Sequence, residues 1–225
     1  MSYGSGFFHL WIKVPGGDSS GVVTAFYLSS RGERHDEIDM EFLGNKEGKP
    51  YTLQTNVYVD GEGGREQRLR LWFDPSAYFH NYRILWNSRH IVFFVDNIPI
   101  RIFKNKSDVG GRYPSQAMRI EATIWNGDDW ATDGGRSKIN LKYAPFKAYF
   151  QGFDIRACEL VEAQRSSSSS NARNCSSDRF AWNKKIFWKL DPGRQRVYNA
   201  VRKKYMTYDY CADRPRFPTP PKECI

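Results

Sequence analysis

The stretch His35-Asp36-Glu37-Ile38-Asp39-Met40-Glu41-Phe42 alternates acidic and apolar side chains with a period of two. This period is typical of a β-strand that has one face in a hydrophobic core and the other turned outward. Glu37, Asp39 and Glu41 would then project from one face. Close carboxylates raise the cost of ionising one another, and such perturbed acids cluster at functional sites. The stretch therefore predicts a strand that carries a functional carboxylate cluster.

Short apolar runs separated by turn residues surround this strand. Asp96-Asn97, which lies between two of the runs, is typical of a tight hairpin. Many short strands at such spacing favour an all-β fold, built as an antiparallel sandwich. The predicted strands are 7–14, 21–28, 35–42, 52–59, 65–72, 80–85, 90–95, 98–103, 117–125 and 144–155.

The last third of the chain has a different composition. The serine run at 165–170 predicts a polar linker or a surface loop. Asp191 can cap a helix and Pro192 suits its first turn, while apolar residues at 197–205 recur at helical spacing. These features predict a helix over 192–205, with a Pro-rich tail after it.

The cysteines Cys158, Cys175, Cys211 and Cys224 lack the spacing of a zinc site. Their even count in a loop-rich region suggests two disulfides and an oxidising compartment. Three connectivities are possible. We favour the two local loops, Cys158–Cys175 and Cys211–Cys224.

The evidence on secretion is divided. The triplets Asn105-Lys106-Ser107 and Asn174-Cys175-Ser176 are acceptor sequences for N-glycosylation, which would fit a secreted glycoprotein. No signal peptide and no transmembrane segment is visible in the sequence.

The net charge of +9 suggests anionic surroundings, such as an acidic extracellular matrix or a nucleic acid. The Lys and Arg residues are widely spread and no nucleic-acid motif is present, so we expect no nucleic-acid partner. A soluble protein that is merely basic remains the simplest alternative. The 7 Trp and 13 Tyr offer flat faces for stacking on sugar rings, although many of them belong in a core.

The acids suit glycosidic bond cleavage with retention, which needs two carboxyl groups about 5–5.5 Å apart. Glu37 and Glu41 would lie about 13 Å apart at Cα on a strand that rises roughly 3.3 Å per residue. Their side chains must therefore lean toward each other across Asp39, on a curved sheet. Asp39 could then hold a proton between them.

Two other chemistries are weaker candidates. A calcium site could draw on His35, Asp36, Glu37 and Glu41, but His35 and Asp36 would point to opposite faces of the strand and no second ligand group is evident. A Ser-His-Asp hydrolase would need a nucleophile turn of the G-x-S-x-G type, which the sequence lacks.

The stretch 35–44 closely resembles the active-site strand of the plant xyloglucan endotransglucosylase/hydrolases, in glycoside hydrolase family 16. The end of the chain, with Tyr210-Cys211 and Glu223-Cys224, resembles the C-terminal extension that marks these enzymes. The matching stretches cover nearly the whole chain. Between the two ends they are 54–56, 64–68, 71–75, 94–96, 98–101, 125–132, 134–135 and 214–218.

This resemblance implies an all-β, concanavalin-like β-jelly-roll sandwich with a C-terminal extension that contains a helix. The catalytic domain would cover 1–157, and the extension with its disulfides 158–225. Family members usually carry a signal peptide and several further strands before the segment that begins here near Tyr3. We therefore expect an N-terminally truncated chain with unpaired sheet edges. Asn45-Lys46-Glu47 also replaces the glycosylation triplet that usually follows the active-site strand.

The resemblance also implies roles for individual residues. Glu37 matches the nucleophile, Glu41 the acid/base, and Asp39 the residue that supports the nucleophile. Neither a cofactor nor a metal is expected. Trp125 remains open between a core aromatic and a cleft residue. The positions that match substrate-binding residues are Gln54, Thr55, Asn56, Gly64, Arg65, Glu66, Trp130, Ala131, Gly135 and Arg216.

The implied function is a secreted, monomeric transferase of the plant cell wall, in the apoplast. It would cut xyloglucan and rejoin the fragment to a xyloglucan oligosaccharide or polysaccharide acceptor, without a membrane or nucleic-acid partner. One alternative is an enzyme that mainly hydrolyses xyloglucan. Another is a catalytically impaired, lectin-like protein that binds xyloglucan because truncation disturbs its acids.

Overall fold

A computed structural model of the chain describes residues 1–160 and 174–225. The strands within these ranges are β1 (Ser2–Lys13), β2 (Val22–Ser29), β3 (Glu37–Leu43), β4 (Thr52–Tyr58), β5 (Gln67–Arg70), β6 (His80–Trp86), β7 (His90–Val95), β8 (Ile98–Lys104), β9 (Arg119–Asn126), β10 (Tyr149–Leu160) and β11 (Met206–Asp209), and the principal helix is α1 (Pro192–Tyr205). The predicted serine-rich linker at 165–170 lies outside the described residues.

Two antiparallel sheets enclose the main hydrophobic core. One sheet has the strand order β10-β1-β6-β7-β8 and the other the order β11-β5-β4-β3-β2-β9. The core takes apolar side chains from both sheets, including Phe8 and Phe93 from the first and Met40 and Phe42 from the second. The predicted all-β sandwich is confirmed.

The core face of β3 follows from the period of two. Ile38, Met40 and Phe42 are buried, whereas the three acids lie on the opposite face. Burying each of these apolar side chains stabilises the fold by about 1.5–3 kcal/mol. A slip of one residue in the pairing of β3 would bring the acids into the core, so the register is strongly determined.

Several predicted boundaries were wrong. The strand predicted at 65–72 is reduced to β5, because Gly64 has a positive φ of 84° and Arg65 is tied to the neighbouring loop. The strand predicted from 144 begins only at Tyr149, after Pro145, which has no N–H to donate to a ladder. This strand then runs to Leu160, so Cys158 belongs to a strand of the five-stranded sheet.

A buried arginine, Arg101 of β8, links the two sheets. Its Nη1 donates to the backbone oxygen and the Oγ1 of Thr55, at 2.7 and 2.9 Å, and its Nη2 donates to the backbone oxygen of Arg65 at 2.7 Å. Aromatic rings of Phe93 and Tyr210 lie 5.4 and 5.7 Å from the guanidinium. This side chain is only 1% exposed, and its charge is solvated by backbone oxygens instead of water.

The C-terminal extension adds a helix and a strand to the sandwich. Helix α1 begins at Pro192 and is capped by Asp191, whose side chain accepts from the Arg194 N–H, as predicted. The Pro-rich tail predicted after the helix instead starts with β11, which pairs with β5 at one edge of the six-stranded sheet.

Both disulfides have the predicted pairing, Cys158–Cys175 and Cys211–Cys224. The first disulfide joins β10 to the extension, near the start of the described range 174–225. The second closes a loop within the extension.

Candidate active site

The three acids of β3 lie side by side in the six-stranded sheet, with β2 on one side and β4 on the other. Strand pairing therefore gives each acid two lateral neighbours on the same face. These neighbours are Ser29 and Tyr58 for Glu37, Tyr27 and Asn56 for Asp39, and Ala25 and Gln54 for Glu41.

A cleft of about 430 Å³ opens over the acids and is lined by Glu37, Asp39 and Glu41 together with side chains of β2 and β9. An adjoining cavity of about 290 Å³ shares Glu37 and Tyr27 with it and extends the opening past His35. The structure thus brings the three predicted catalytic residues together in one continuous groove.

Trp125 also lines this cleft and is 40% exposed, so it is not a core residue. The ring of Trp130 lies 5.8 Å from it, and the two planes are inclined by 38°. The pair forms an aromatic wall beside the acids. Flat, partly exposed faces of this kind suit stacking on sugar rings.

Asp39 is the most deeply buried of the acids, with 4% exposure. Burial raises the pKa of Asp39 well above its usual range, and the neighbouring Glu41 and Glu37 carboxylates raise it further, while Arg101 opposes them. Its Oδ1 has no hydrogen-bond partner among the described residues. Burial therefore favours the neutral, protonated form of this carboxyl.

Glu41 titrates closer to neutrality. Burial raises the pKa of Glu41 to about 7, and the charge of Glu37 also raises it, whereas the hydrogen bond from Gln54 and the charge of Arg68 lower it. The Gln54 Nε2 donates to Glu41 Oε2 at 2.7 Å. A carboxyl with such a pKa can both donate and accept a proton near neutral pH.

Glu37 lies at the other end of the row, where it lines both the cleft and the adjoining cavity. The Nε2 of His35 is 4.0 Å from Glu37 Oε2, and the imidazole ring stacks on Tyr58 at 5.5 Å. Burial, together with the nearby acids, raises the pKa of Tyr58 to about 12, so this phenol keeps its proton. The Glu37 side chain is 21% exposed, which leaves it accessible to a ligand in the cleft.

The predicted binding residues of β4 divide between the two faces of the sheet. Gln54 and Asn56 lie on the cleft face, next to Glu41 and Asp39. Thr55 is 0% exposed on the core face, where its hydroxyl accepts from Arg101. A direct contact of the Thr55 side chain with a ligand in the cleft is therefore ruled out by its orientation.

Gly64, Glu66 and Arg216 come together although 150 residues separate the last two. The Nη1 of Arg216 donates to Glu66 Oε2 at 2.7 Å. A Cβ atom on Gly64 would lie 3.0 Å from the Arg216 Nη2, and Gly64 has a positive φ of 84°. The glycine lets the extension approach the sheet closely at this corner.

Arg65 is engaged in contacts within the protein. Its Nε donates to Glu223 Oε1 at 2.8 Å, and its Nη1 donates to the backbone oxygen of Glu62 at 2.6 Å. Its backbone N–H donates to Asn56 Oδ1 at 2.9 Å, which fixes a side chain of the cleft face. Arg65 thus anchors the extension and orients Asn56.

Trp130, Ala131 and Gly135 belong to a loop near the Glu41 end of β3. Ala131 is buried against Val23 and Leu43. The hydroxyl of Thr132, a residue not predicted, donates to the Gly44 backbone oxygen at 2.6 Å and fastens this loop to the end of β3. Gly135 has a φ of 82°, and a Cβ there would lie 2.4 Å from the Asp129 backbone oxygen, so only glycine fits.

Arg68 is a cleft residue that the sequence reasoning missed. Its Nε donates to Gln54 Oε1 at 2.7 Å, and Gln54 in turn donates to Glu41. The register places Arg68 opposite Gln54 on one side and Tyr208 on the other. Its position in the family-like stretch 64–68 was the signal that could have identified it.

The residues considered for a calcium site are not arranged as metal ligands. Asp36 is buried and its Oδ2 accepts from the backbone N–H groups of Ser115 and Gln116, at 2.6 and 2.8 Å. In the described ranges, no group of three or more His, Cys, Asp or Glu side chains is arranged to hold a metal ion. Asp36 instead anchors two loops beside the acids.

Comparison with known families gives two matches along the chain. The model of glycosyl hydrolases family 16 matches residues 1–143, and the model of the xyloglucan endo-transglycosylase C-terminus matches residues 175–224. Xyloglucan endotransglucosylase/hydrolase protein 2 of Arabidopsis thaliana is 55% identical over 222 residues, which are 99% of this chain and 74% of that protein. Protein 3 of the same series and species is 52% identical over 223 residues, with the same coverage.

Solved structures share the sandwich. The Bacillus licheniformis β-glucanase superposes with a TM-score of 0.56 at 26% identity, covering 71% of this chain and 69% of that one. The apo Crh5 transglycosylase superposes with a TM-score of 0.58 at 26% identity, covering 69% and 64%. These matches confirm the predicted jelly-roll sandwich. With its carboxylate strand, its cleft and its matched extension, the chain belongs to glycosyl hydrolase family 16, among the xyloglucan endotransglucosylase/hydrolases.

Proposed function

We propose that this protein cuts the β-1,4-glucan backbone of xyloglucan and rejoins the new end to a second xyloglucan chain. The observation that carries the proposal is the row of three carboxyls in one open cleft, in which Glu41 has a pKa of about 7 and Asp39 is buried. The substrate class follows from the names of the relatives and from the matched extension.

In the first step, a Glu37 carboxylate oxygen attacks the anomeric carbon of the bound glucan. The bond from that carbon to the glycosidic oxygen breaks, and Glu41 gives its proton to this oxygen. The departing chain leaves as an alcohol, and a glycosyl ester remains on Glu37. Asp39, whose neutral form is favoured by burial, can donate a hydrogen bond to the Glu37 carboxylate when the ester later breaks and keeps its own proton.

In the second step, Glu41 is a carboxylate and removes the proton from an incoming hydroxyl. The oxygen of that hydroxyl attacks the anomeric carbon, and the Glu37 carboxylate departs, which restores both acids. An acceptor sugar gives transfer, whereas water gives hydrolysis. Each step attacks the face opposite the departing group and inverts the anomeric carbon, so the two steps together retain its configuration.

The binding roles rest on the placement of the side chains. Gln54 and Asn56 offer amides to sugar hydroxyls, and Trp125 and Trp130 offer aromatic faces. The remaining candidates on the extension side are Gly64, Glu66 and Arg216, which lie close together where the extension meets the sheet.

A transfer assay tests this function. Xyloglucan is incubated with and without a labelled xyloglucan oligosaccharide, and label in polymer, chain length and new reducing ends are followed. Transfer predicts label in the polymer with few new reducing ends, and a mainly hydrolytic enzyme gives new reducing ends in both arms. Binding without turnover would favour the lectin-like alternative. Glu37→Ala is the control, and full activity in this variant would refute the assignment of the nucleophile.

We also propose a secreted, monomeric glycoprotein of the plant cell wall. The two disulfides support an oxidising compartment, and the positive net charge suits an acidic matrix. Across the ranges that the structure describes, no helix has the length and apolar character needed to cross a membrane. Recovery of the protein from cell-wall wash fluid, a monomeric mass in solution and a mass decrease on deglycosylation would support these assignments, and their absence would refute them.

A further inference from the structure

A row of side chains runs across the sheet from Glu41 to the C-terminal extension. Glu41 Oε2 accepts from Gln54 Nε2 at 2.7 Å, and Gln54 Oε1 accepts from Arg68 Nε at 2.7 Å. Beyond Arg68, the guanidinium carbon lies 5.6 Å from the ring centre of Tyr208. The four residues occupy consecutive strands, β3, β4, β5 and β11.

Arg68 determines the donor-to-acceptor direction of the hydrogen bonds in this row. A guanidinium has only donors, so the Gln54 amide must turn its oxygen toward Arg68. The amide NH2 then faces Glu41 and donates to it. If the amide were reversed, its NH2 would meet the Arg68 N–H and its oxygen would face Glu41, which would favour a protonated Glu41.

The extension holds Arg68 in this position. Tyr208 lies opposite Arg68 in the β11–β5 ladder, and its ring covers the guanidinium. The Tyr208 hydroxyl donates to Asp213 Oδ2 at 2.7 Å and accepts from Arg216 Nη1 at 3.4 Å. Because Arg216 also binds Glu66, this side of the cleft is cross-linked to the sheet.

We propose that Arg68 is a positioning residue that orients the Gln54 amide and so determines how readily Glu41 releases its proton. The proposal rests on the proposed role of Glu41 as acid/base. In this proposal Arg68, in the stretch 64–68, does not need to contact the substrate, because it acts on Glu41 through Gln54.

The other groups around Glu41 favour its protonated form. Burial and the charges of Glu37 and Glu66 raise the pKa of Glu41, whereas Gln54 and Arg68 lower it. The remaining neighbours are Asp39 on the same strand, Ala25 on β2, Thr123 on β9 and Tyr58 on β4. Removing Arg68 takes away a positive charge and frees the amide to reverse, and both changes raise the pKa of Glu41.

The pH dependence of transfer tests this inference. Arg68→Met removes the charge and the donors at similar length, Arg68→Lys keeps both, and Arg70→Met is a control at the exposed position two residues along the same strand face. In Arg68→Met, we expect the alkaline limb of kcat/KM to move upward by about half a pH unit or more. In Arg68→Lys and Arg70→Met, the limb should stay near that of the wild type.

An unmoved limb in Arg68→Met, with a raised KM alone, would overturn the proposal and leave Arg68 as a substrate contact. If Arg68→Met does not fold, Arg68→Gln takes its place. An alkaline limb of kcat/KM in Arg68→Gln that coincides with that of the wild type would then refute the proposal.

A second readout separates this inference from the proposed function. The Glu41 carboxyl is followed by 13C NMR in the ligand-free protein and assigned with Glu41→Gln. Its titration midpoint should rise in Arg68→Met whether or not Glu41 is the acid/base, and an unchanged midpoint would refute the positioning role. Undiminished transfer in Glu41→Gln would instead refute the acid/base role.

Discussion

The acids of β3 are similar groups in different environments, and this difference separates their roles. Asp39 is enclosed by its neighbours, so burial favours its neutral form. Glu41 is partly buried, but the Gln54 amide and Arg68 stabilise its charge and hold its pKa near 7. Glu37 lines both the cleft and the adjoining cavity. A proton donor and a nucleophile can therefore coexist on one strand.

At the residue scale, we expect transfer to weaken as the pH rises through about 7, because Glu41 must be protonated to release the departing chain. The measurement is kcat/KM for transfer as a function of pH. In Glu41→Gln, whose side chain does not titrate, the residual rate should lose this alkaline limb. A wild-type rate that stays constant well above pH 7 would contradict the assignment.

The same pKa values predict how stability depends on pH. The pKa of Glu41 is raised from 4.5 to about 7 in the folded protein, so between these values the folded state binds more protons than the unfolded state. The free energy of unfolding should therefore fall as the pH rises through this window, with Asp39 contributing in the same direction.

Urea denaturation at a series of pH values measures this slope. Glu41→Gln and Asp39→Asn should each make it shallower. Glu47→Gln, at an exposed loop position, is the control and should leave it unchanged. Equal slopes in all four proteins would show that the two acids are not protonated in the folded state.

At the element scale, β11 is held to β5 by three polar side chains. The Nη1 of Arg202 donates to Gln67 Oε1 at 2.9 Å and its Nη2 donates to Asp209 Oδ2 at 2.7 Å, while Gln67 Nε2 donates to Asp209 Oδ1 at 2.9 Å. Helix α1 supplies the arginine, so the helix, the added strand and the sheet are connected through one cluster.

We expect Arg202→Met to destabilise the protein by about 1–3 kcal/mol, because the Asp209 carboxylate and the Gln67 amide lose hydrogen-bond partners in a mostly buried place. Urea denaturation gives the value. Lys203→Met, at the next and exposed position of the helix, should change it by less than about 0.5 kcal/mol. Equal effects of the two substitutions on the free energy of unfolding would show that the cluster does not stabilise the fold.

The two disulfides close loops of similar length, with sequence separations of 17 and 13, but they lie in different places. Replacing either pair by serines should cost roughly 3 kcal/mol of stability. Cys224 adjoins Glu223, which binds Arg65, whereas Cys175 lies far from the acids along the five-stranded sheet. Loss of the Cys211–Cys224 bond should therefore also raise the KM for the acceptor.

Thermal unfolding and acceptor kinetics on the two double variants check this prediction. The Cys158–Cys175 variant is the matched control, with a similar loss of stability and an unchanged KM. The same rise of KM in both variants would indicate a general loosening of the fold.

At the scale of the whole molecule, the period of two predicted most of what local sequence can determine. It placed Ile38, Met40 and Phe42 in the core and the acids outside. The same rule applied to β4 would have placed Thr55 on the core face, since three consecutive strand residues cannot all face one cleft. The cap and the spacing around Asp191 likewise predicted α1 to the residue.

Features that depend on pairing between distant parts of the chain could not be predicted from the sequence. Strand β11 has no apolar alternation and exists because it pairs with β5, more than a hundred residues earlier in the chain. Arg101 is a charged residue in a core, which only its backbone acceptors explain. The task of Arg68 became visible only when the register placed it beside Gln54.

The central claim is that Glu37 is the nucleophile of a double displacement. The most direct test is to trap the glycosyl ester in Glu41→Ala with a xyloglucan oligosaccharide whose anomeric leaving group is fluoride, since fluoride needs no acid and the ester then lacks a base for its release. Trypsin cleaves after Arg34 and Lys46, so tandem mass spectrometry of the peptide 35–46 locates the sugar. We predict one oligosaccharide on Glu37. An ester on another residue, or continued fluoride release with no ester, would contradict the account.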